Sequence, residues 1–225
     1  MKKIISIILL VFSLQSAKAQ FMDTLHTAFT GKKTVDFRFE GRWSFVNHDL
    51  TTVQSLKMGI NFGKKISLGG GYSWLKTDVK DNFVLHDNEL KKDTSIFKTL
   101  RLHYVCYYAD YIFYKSKRWQ YSAPMQFGMG STRFDYTYNG EKVKEAKHFI
   151  ALYEPGINVK YKIFRWMGLG ANVGYRIVLK NNNFLSKKFN SPFYSAGVLI
   201  YWNELALAMF PKNRKVQDKL GPSDW

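Results

Sequence analysis

Residues 167–179, Met-Gly-Leu-Gly-Ala-Asn-Val-Gly-Tyr-Arg-Ile-Val-Leu, decide how this chain folds. Every odd position is apolar: Met167, Leu169, Ala171, Val173, Tyr175, Ile177 and Leu179. The even positions are Gly168, Gly170, Asn172, Gly174 and Arg176, and only Val178 breaks the alternation. A period of two describes a β-strand with one apolar face and one face of glycines and polar groups. The stretch also exceeds the roughly 9–11 tilted residues that a strand needs to cross a bilayer. It reads as one strand of a transmembrane β-barrel.

The same pattern recurs seven more times. Strand one, 34–46, sets Val35, Phe37, Phe39, Trp43 and Phe45 against Asp36, Arg38, Glu40, Arg42 and Ser44. The second, about 52–63, opposes Leu56, Met58, Ile60 and Phe62 with Lys57, Gly59 and Asn61. After a Gly63-Lys64-Lys65 turn, Ile66, Leu68, Tyr72 and Trp74 oppose Ser67, Gly69, Gly71 and Ser73. The fourth, about 98–114, sets Leu100, Leu102, Tyr104 and Cys106 against Arg101 and His103. In the fifth, about 119–138, Met125, Phe127 and Met129 face away from Gln126, Gly128 and Gly130. The sixth, about 148–163, opposes Ile157, Val159, Tyr161 and Ile163 with Asn158, Lys160 and Lys162. After the seventh, 167–179, the last strand has Tyr194, Ala196, Val198, Ile200 and Trp202 on one face and Ser195 and Gly197 on the other. Pro124 and Pro155 fall inside strands, where a bulge or strand end is expected because a closed barrel has no free edge to hold them.

Connections 63–65, 115–118 and 164–166 are short, while those near 77–97, 139–147 and 180–191 are longer and polar, and on that side only the first loop, around Asn47-His48-Asp49, is brief. Short turns on the side of the termini and longer loops opposite are the asymmetry of outer-membrane barrels. Aromatics near strand ends (Trp43, Trp74, Tyr114, Trp119, Tyr136, Tyr138, Trp166, Trp202) suit interfacial girdles and account for a 17% aromatic content. A soluble lipocalin-like barrel would hide the apolar face instead. Two features oppose it: glycines crowd the polar face, and the apolar faces carry too much bulk for a small interior.

The N-terminus adds an export route. Met1-Lys2-Lys3 is a basic start, residues 4–14 are apolar apart from Ser, and Ala17-Lys18-Ala19 fits a small-x-small cleavage site, so 1–19 is expected to be a signal peptide. Its apolar run is shorter than the roughly 20 residues of a spanning helix. The domain reading is a signal peptide at 1–19, a polar lead at 20–33, a barrel at 34–202 and a periplasmic tail at 203–225. Within the tail, Asn203 is placed to cap a brief helix from Glu204 to Phe210, ended before Pro211. The single Cys106 rules out an intramolecular disulfide.

Signal peptide, strand pattern and loop asymmetry together resemble the small eight-stranded outer-membrane barrels of the OmpA/OmpX type, over nearly all of 34–202. The resemblance implies an all-β fold, a closed antiparallel eight-stranded up-and-down transmembrane β-barrel, in the outer membrane of a Gram-negative-type envelope. It implies almost nothing about activity. Such barrels often end on an aromatic residue closing the last strand; Trp202 takes that place, and the chain continues to Trp225.

An eight-stranded barrel is just wide enough for side chains to fill it. The expected lumen holds Arg38, Glu40, Arg42, Lys57, Arg101, His103, Glu154, Lys160 and Arg176. Isolated buried charges are very costly, so these groups must pair or be hydrated. They read as a plugging salt-bridge network or, from the excess of cations, as a small anionic pocket. An open porin does not fit, because aqueous channels belong to barrels of about 16–18 strands.

No catalytic, metal or cofactor site is expected. His103, His148, Ser131 and Glu154 are the raw material for a lipid-modifying hydrolase, yet no short His-x-Ser constellation unites them. His26, His48 and His86 lack metal-ligand spacing. Gly69-Gly70-Gly71 lies in a strand and precedes no helix, so it is no phosphate-cradling loop. Without residues 1–19 the chain keeps 31 basic residues (34 less Lys2, Lys3 and Lys18) against 17 acidic ones, a net charge of +14. In an exported barrel the nearest anions are lipid phosphates and lipopolysaccharide, not nucleic acid. The expected role is therefore non-enzymatic: structural, surface-interacting or envelope-anchoring, with a periplasmic or surface protein as further partner through tail or loops. Two alternatives remain, an outer-membrane lipid hydrolase and a secreted soluble ligand-binding barrel.

Overall fold

The computed structural model describes residues 29–46, 49–77, 79–87, 92–138, 141–180 and 189–210, with backbone alone at 46, 49, 79–87, 92–97, 138, 141 and 180. The signal peptide at 1–19, most of the lead and residues 211–225 lie outside the described residues. The described residues form ten strands: β1 (Lys33–Val46), β2 (Asp49–Phe62), β3 (Ile66–Leu75), β4 (Val79–Asp87), β5 (Lys92–Lys115), β6 (Trp119–Tyr138), β7 (Glu141–Lys144), β8 (His148–Lys162), β9 (Met167–Lys180) and β10 (Ser191–Tyr201). One helix follows, α1 (Trp202–Met209).

Eight of these strands close into a ring in the order β1-β2-β3-β5-β6-β8-β9-β10, every neighbour antiparallel. The last strand returns to the first, with Asp36 opposite Tyr201 and Ser44 opposite Phe193. This is a closed up-and-down transmembrane β-barrel. The turn between β2 and β3 uses Gly63 at φ 57°, a left-handed conformation that glycine adopts without steric penalty.

Strands β4 and β7 occupy the segments expected to be loops. They pair only with the upper parts of β5 and β6, Val79–Asp87 against Lys92–Leu100 and Glu141–Lys144 against Asp135–Tyr138. β5 and β6 run 24 and 20 residues, well beyond the ten to fifteen of the other ring strands, and so rise past the barrel rim on the side away from the termini. Once clear of the membrane their edges can pair with whatever chain is adjacent in sequence.

The outward face is apolar on all eight ring strands. Leu56, Tyr107, Met129, Ile157, Val173 and Tyr194 are all exposed there. So continuous an exposed apolar belt is incompatible with water, whereas hydrocarbon suits it and tolerates only closed rings of strands or helices. No described helix is long and apolar enough to cross a membrane. Aromatic rings gather at both rims of the belt: Trp119 lies 4.7 Å from Tyr161 near the termini, and Trp43 stacks 5.4 Å from Tyr194 at the far end. Tyr136 belongs elsewhere, with its ring 5.2 Å from the Lys98 ammonium in the β5–β6 extension.

Three local expectations are corrected. In β5, Leu100, Leu102, Tyr104 and Cys106 point into the barrel, and Arg101 and His103 point outward. Residues 104–108, Tyr-Val-Cys-Tyr-Tyr, are apolar or aromatic on both faces, so alternation there cannot tell the faces apart. The two prolines neither end a strand nor shift its register: β6–β8 pairing steps from Ser122–Asn158 to Met125–Pro155 with the alignment unchanged. The bulges lie instead between Ile112 and Tyr114, which leaves Phe113 and Tyr114 both exposed, and between Ala151 and Leu152. Asn203 does not cap the helix: α1 starts at Trp202 without a side-chain cap, and the Asn203 Oδ1 accepts the backbone N–H of Val35 at 2.9 Å.

Because Val173 sits exposed in the middle of the outward belt, Val173→Arg should destabilise the barrel by about 2–4 kcal/mol. Urea titration in lipid vesicles, read by the mobility difference between unheated and boiled samples, measures this. An unchanged midpoint would mean that the apolar face does not meet hydrocarbon.

Candidate functional site

Among the described residues, most of the buried ionisable side chains converge in the lumen. Inward positions of adjacent strands alternate glycine with long side chains, because an eight-stranded bore cannot hold two large groups at one level. A Cβ at Gly128 would stand 2.8 Å from the Tyr104 ring, and one at Gly174 would stand 2.7 Å from Phe193. Glycine there is the room those rings occupy.

Glu154 on β8 is the hub of the upper network. It accepts hydrogen bonds from Arg42 and Gln126 on one oxygen and from Arg176 Nε on the other, the last at 2.7 Å. Arg42 reaches on to Glu40 at 3.0 Å, and Lys57 bridges Glu40 and the Gln126 carbonyl oxygen. Arg176 also donates to Ser44 Oγ at 3.1 Å. The Arg42 guanidinium lies 4.5 Å above the Phe193 ring, a cation–π contact in a desolvated setting.

A second network lies nearer the termini. Arg38 pairs with Asp36 at 3.1 Å and with Asp110 at 3.7 Å, while Lys160 reaches Asp110 at 3.2 Å. Tyr108 supports it from beneath, its ring 4.7 Å from the Arg38 guanidinium. Within these two networks five cations (Arg38, Arg42, Lys57, Lys160, Arg176) thus face four carboxylates (Asp36, Glu40, Asp110, Glu154). Charge there is nearly balanced, which weakens the argument for an anionic pocket. Among the described residues, a lumen cavity lined in part by Arg38, Lys160, Asn158 and Asn172 measures about 20 Å³, room for about one water.

At the far end the lumen changes character. Val53, Leu100, Leu102, Tyr104, Ile150 and Leu152 form an apolar cluster, and Phe189 from the β9–β10 connection is fully buried among them. Polar bonds above the termini and an apolar plug toward the loops fill the bore from both ends.

Two of the nine residues expected inside are not there. Arg101 is about half exposed on the outer surface, 3.9 Å from Asp135, and His103 bonds the Tyr72 hydroxyl at 3.0 Å on the same surface. Asp36, Ser44 and Gln126, already on the polar faces of their strands, join the networks as well, and Asp110 is the one network carboxylate that the alternation does not place. Asp110 carried a signal that could have placed it: a carboxylate in mid-strand has to face the lumen, and counting back by twos puts Leu100 to Tyr108 inside with it.

The hydrolase candidates are divided between two faces. His103 and Ser131 are direct cross-strand partners on the outward surface, whereas Glu154 is locked in the lumen and His148 stands opposite Thr132 at the start of β8. Among the described residues no group of three or more His, Cys, Asp or Glu could hold a metal ion. Cys106 is free and buried, with Ser73 Oγ 3.9 Å from its sulfur.

No family model matches the sequence, and no curated protein is significantly similar to it. Among solved structures, the chain is similar to Neisserial surface protein A at 14% identity, covering 75% of this chain and 96% of that one with a TM-score of 0.46. Ail, the attachment invasion locus protein of Yersinia pestis, matches at 10% identity over 76% and 97% of the two chains, TM-score 0.45. The outer membrane protein OprG from Pseudomonas aeruginosa matches at 11% identity over 78% and 95%, TM-score 0.44. The ring itself rests on its own strand register.

Glu154→Ala removes the one carboxylate shared by Arg42 and Arg176, leaving Arg42 with Glu40 and the fully buried Arg176 with the Ser44 hydroxyl in place of a counter-charge. The expected loss is about 3–5 kcal/mol of stability. Glu40, partly exposed at the margin of the network, should be worth less when replaced by Gln. Urea midpoints of the two variants, compared in the same vesicles, check the order.

Proposed function

We propose that this chain is a non-conducting, non-enzymatic barrel of the outer membrane, exported by a cleavable signal peptide, that works through its surfaces and not through its bore. One observation carries the reading: paired charges and an apolar plug fill the lumen, while the outward belt is shaped for lipid. A protein whose interior is occupied by its own side chains offers partners only its rims, its extension β4–β7 and its tail. Lipid and lipopolysaccharide headgroups are the nearest of those partners, and a periplasmic or surface protein is a further one.

Helix α1 supports an anchoring role at the end carrying the termini. Glu204 is buried and bonds Arg165 at 2.8 Å, Leu207 is buried with it, and Trp202, Met209 and Phe210 are exposed beside the barrel rim. Such a helix holds the start of the tail against the interface with its apolar residues toward lipid.

The test is reconstitution into planar bilayers. No conductance steps above the lipid baseline are expected, and steps of porin size would sink the reading. The hydrolase alternative has one observation in its favour, the facing pair His103 and Ser131. Ester cleavage of phospholipid or lipid A by the folded protein, abolished in Ser131→Ala, would establish it; absence of cleavage in both forms is the expected result.

A further inference from the structure

The outward face of the β5–β6–β7 extension carries a concentration of cations at the upper limit of the apolar belt. Arg101 and Arg133 stand directly opposite each other across β5 and β6. One register step higher, Asp135 faces Lys144, and Thr137 faces Lys142. Among the described side chains of this face, four cations share a single carboxylate. Asp135 is held by Arg133 at 2.7 Å, with Arg101 3.9 Å away, while Lys142 and Lys144 are exposed. Like charges directly opposite each other repel across a sheet, and an anion placed between them relieves that repulsion.

The patch borders hydrocarbon. Just below it lie the pairs His103–Ser131 and Val105–Met129, and Phe149 flanks Ser131. Val105, Met129 and Phe149 are all well exposed. Tyr72 and Trp74 stack beside His103, as rings do at the level of headgroups. Between the three strands runs a cleft of about 230 Å³, lined by Thr99, Arg101, Asp135, Thr137, Lys142 and Lys144.

We propose that this face binds the phosphate of a membrane lipid, with the acyl chains on the exposed apolar residues below and the phosphate between Arg101, Arg133 and the two lysines. A soluble anion would use the cations but not the apolar shelf; a lipid uses both. Arginine pairs suit phosphate because their donors are forked and planar. The proposal rests on the outer-membrane reading, since it needs a phosphate-bearing lipid at the end of the barrel away from the termini.

The experiment uses the full chain refolded in phosphatidylcholine vesicles doped with bis-phosphorylated lipid A or with its dephosphorylated form. Retained lipid is counted by native mass spectrometry after detergent extraction. Bound phosphorylated lipid A is expected, with retention roughly a hundredfold weaker in Arg101→Gln/Arg133→Gln, the loss of two charge-assisted contacts. Lys64→Gln/Lys117→Gln removes the same charge from turns at the opposite end and should leave retention unchanged. Equal retention of the dephosphorylated lipid, or equal loss in both double variants, overturns the proposal. Displacement by micromolar inorganic pyrophosphate would assign the patch to a soluble anion and overturn it likewise. Gel mobility of unheated samples reports folding separately: a wild-type chain that never folds in vesicles removes the membrane reading, whereas folding without retention removes only the lipid site.

Discussion

Hydrocarbon offers a backbone no hydrogen-bond partners, and the whole architecture follows from that shortage. Each N–H and C=O within the membrane has to be satisfied by another strand, so the sheet must close and the last strand must find the first. Closure at eight strands fixes a narrow bore. Charged side chains at mid-membrane are then driven into that bore, where neighbours are close and water is scarce. Glycine opposite Tyr104 and Phe193, forked arginines on Glu154, and a cavity no larger than about one water are consequences of one geometric decision.

The ion pairs do not make the barrel stable in any simple sense. Replacing a buried ion pair with well-fitted apolar groups is often neutral or favourable, and breaking one is what hurts. Their value here is that the inward face must differ from the outward one. A one-residue slip in any strand would carry Arg42, Glu154 or Arg176 into lipid and Phe45, Tyr153 or Ile177 into the lumen. The networks thus specify register around the ring more than they contribute net free energy. The apolar plug works differently, filling space near the far rim, where β5 turns Leu100, Leu102 and Tyr104 inward.

Most of the ring was legible because alternation is strict wherever one face is charged or glycine-rich, as in β1, β2, β9 and β10. It failed in β5. Arg101 and His103 are polar residues lying at and above the edge of the membrane, where an outward direction is no longer forbidden, so the inward rule that holds for polar residues lower in the strand does not apply to them. Asp110, deep in the same strand, obeys the membrane rule and would have corrected the assignment. The β4 and β7 strands were invisible for a related reason: beyond the rim, strands pair without having to alternate. Asn203 was assigned to a helix cap from local sequence, but a partner 168 residues away, the Val35 N–H, claims its side chain. Pairing the ends of a chain leaves no trace in either end alone.

That last contact has a kinetic meaning. Val35 opens the first strand and Asn203 follows the last, so the bond between them, and the β1–β10 seam it borders, cannot form until the entire ring is in place. Contacts of such sequence separation are reached late and slowly, after most of the entropy of ordering has been lost. Until then β1 and β10 each present an unpaired edge, the form in which strands join the wrong neighbour. The seam is therefore the vulnerable interval in the life of this protein: the molecule is hardest to unfold once the ring closes, and most exposed to misassembly in the moments before.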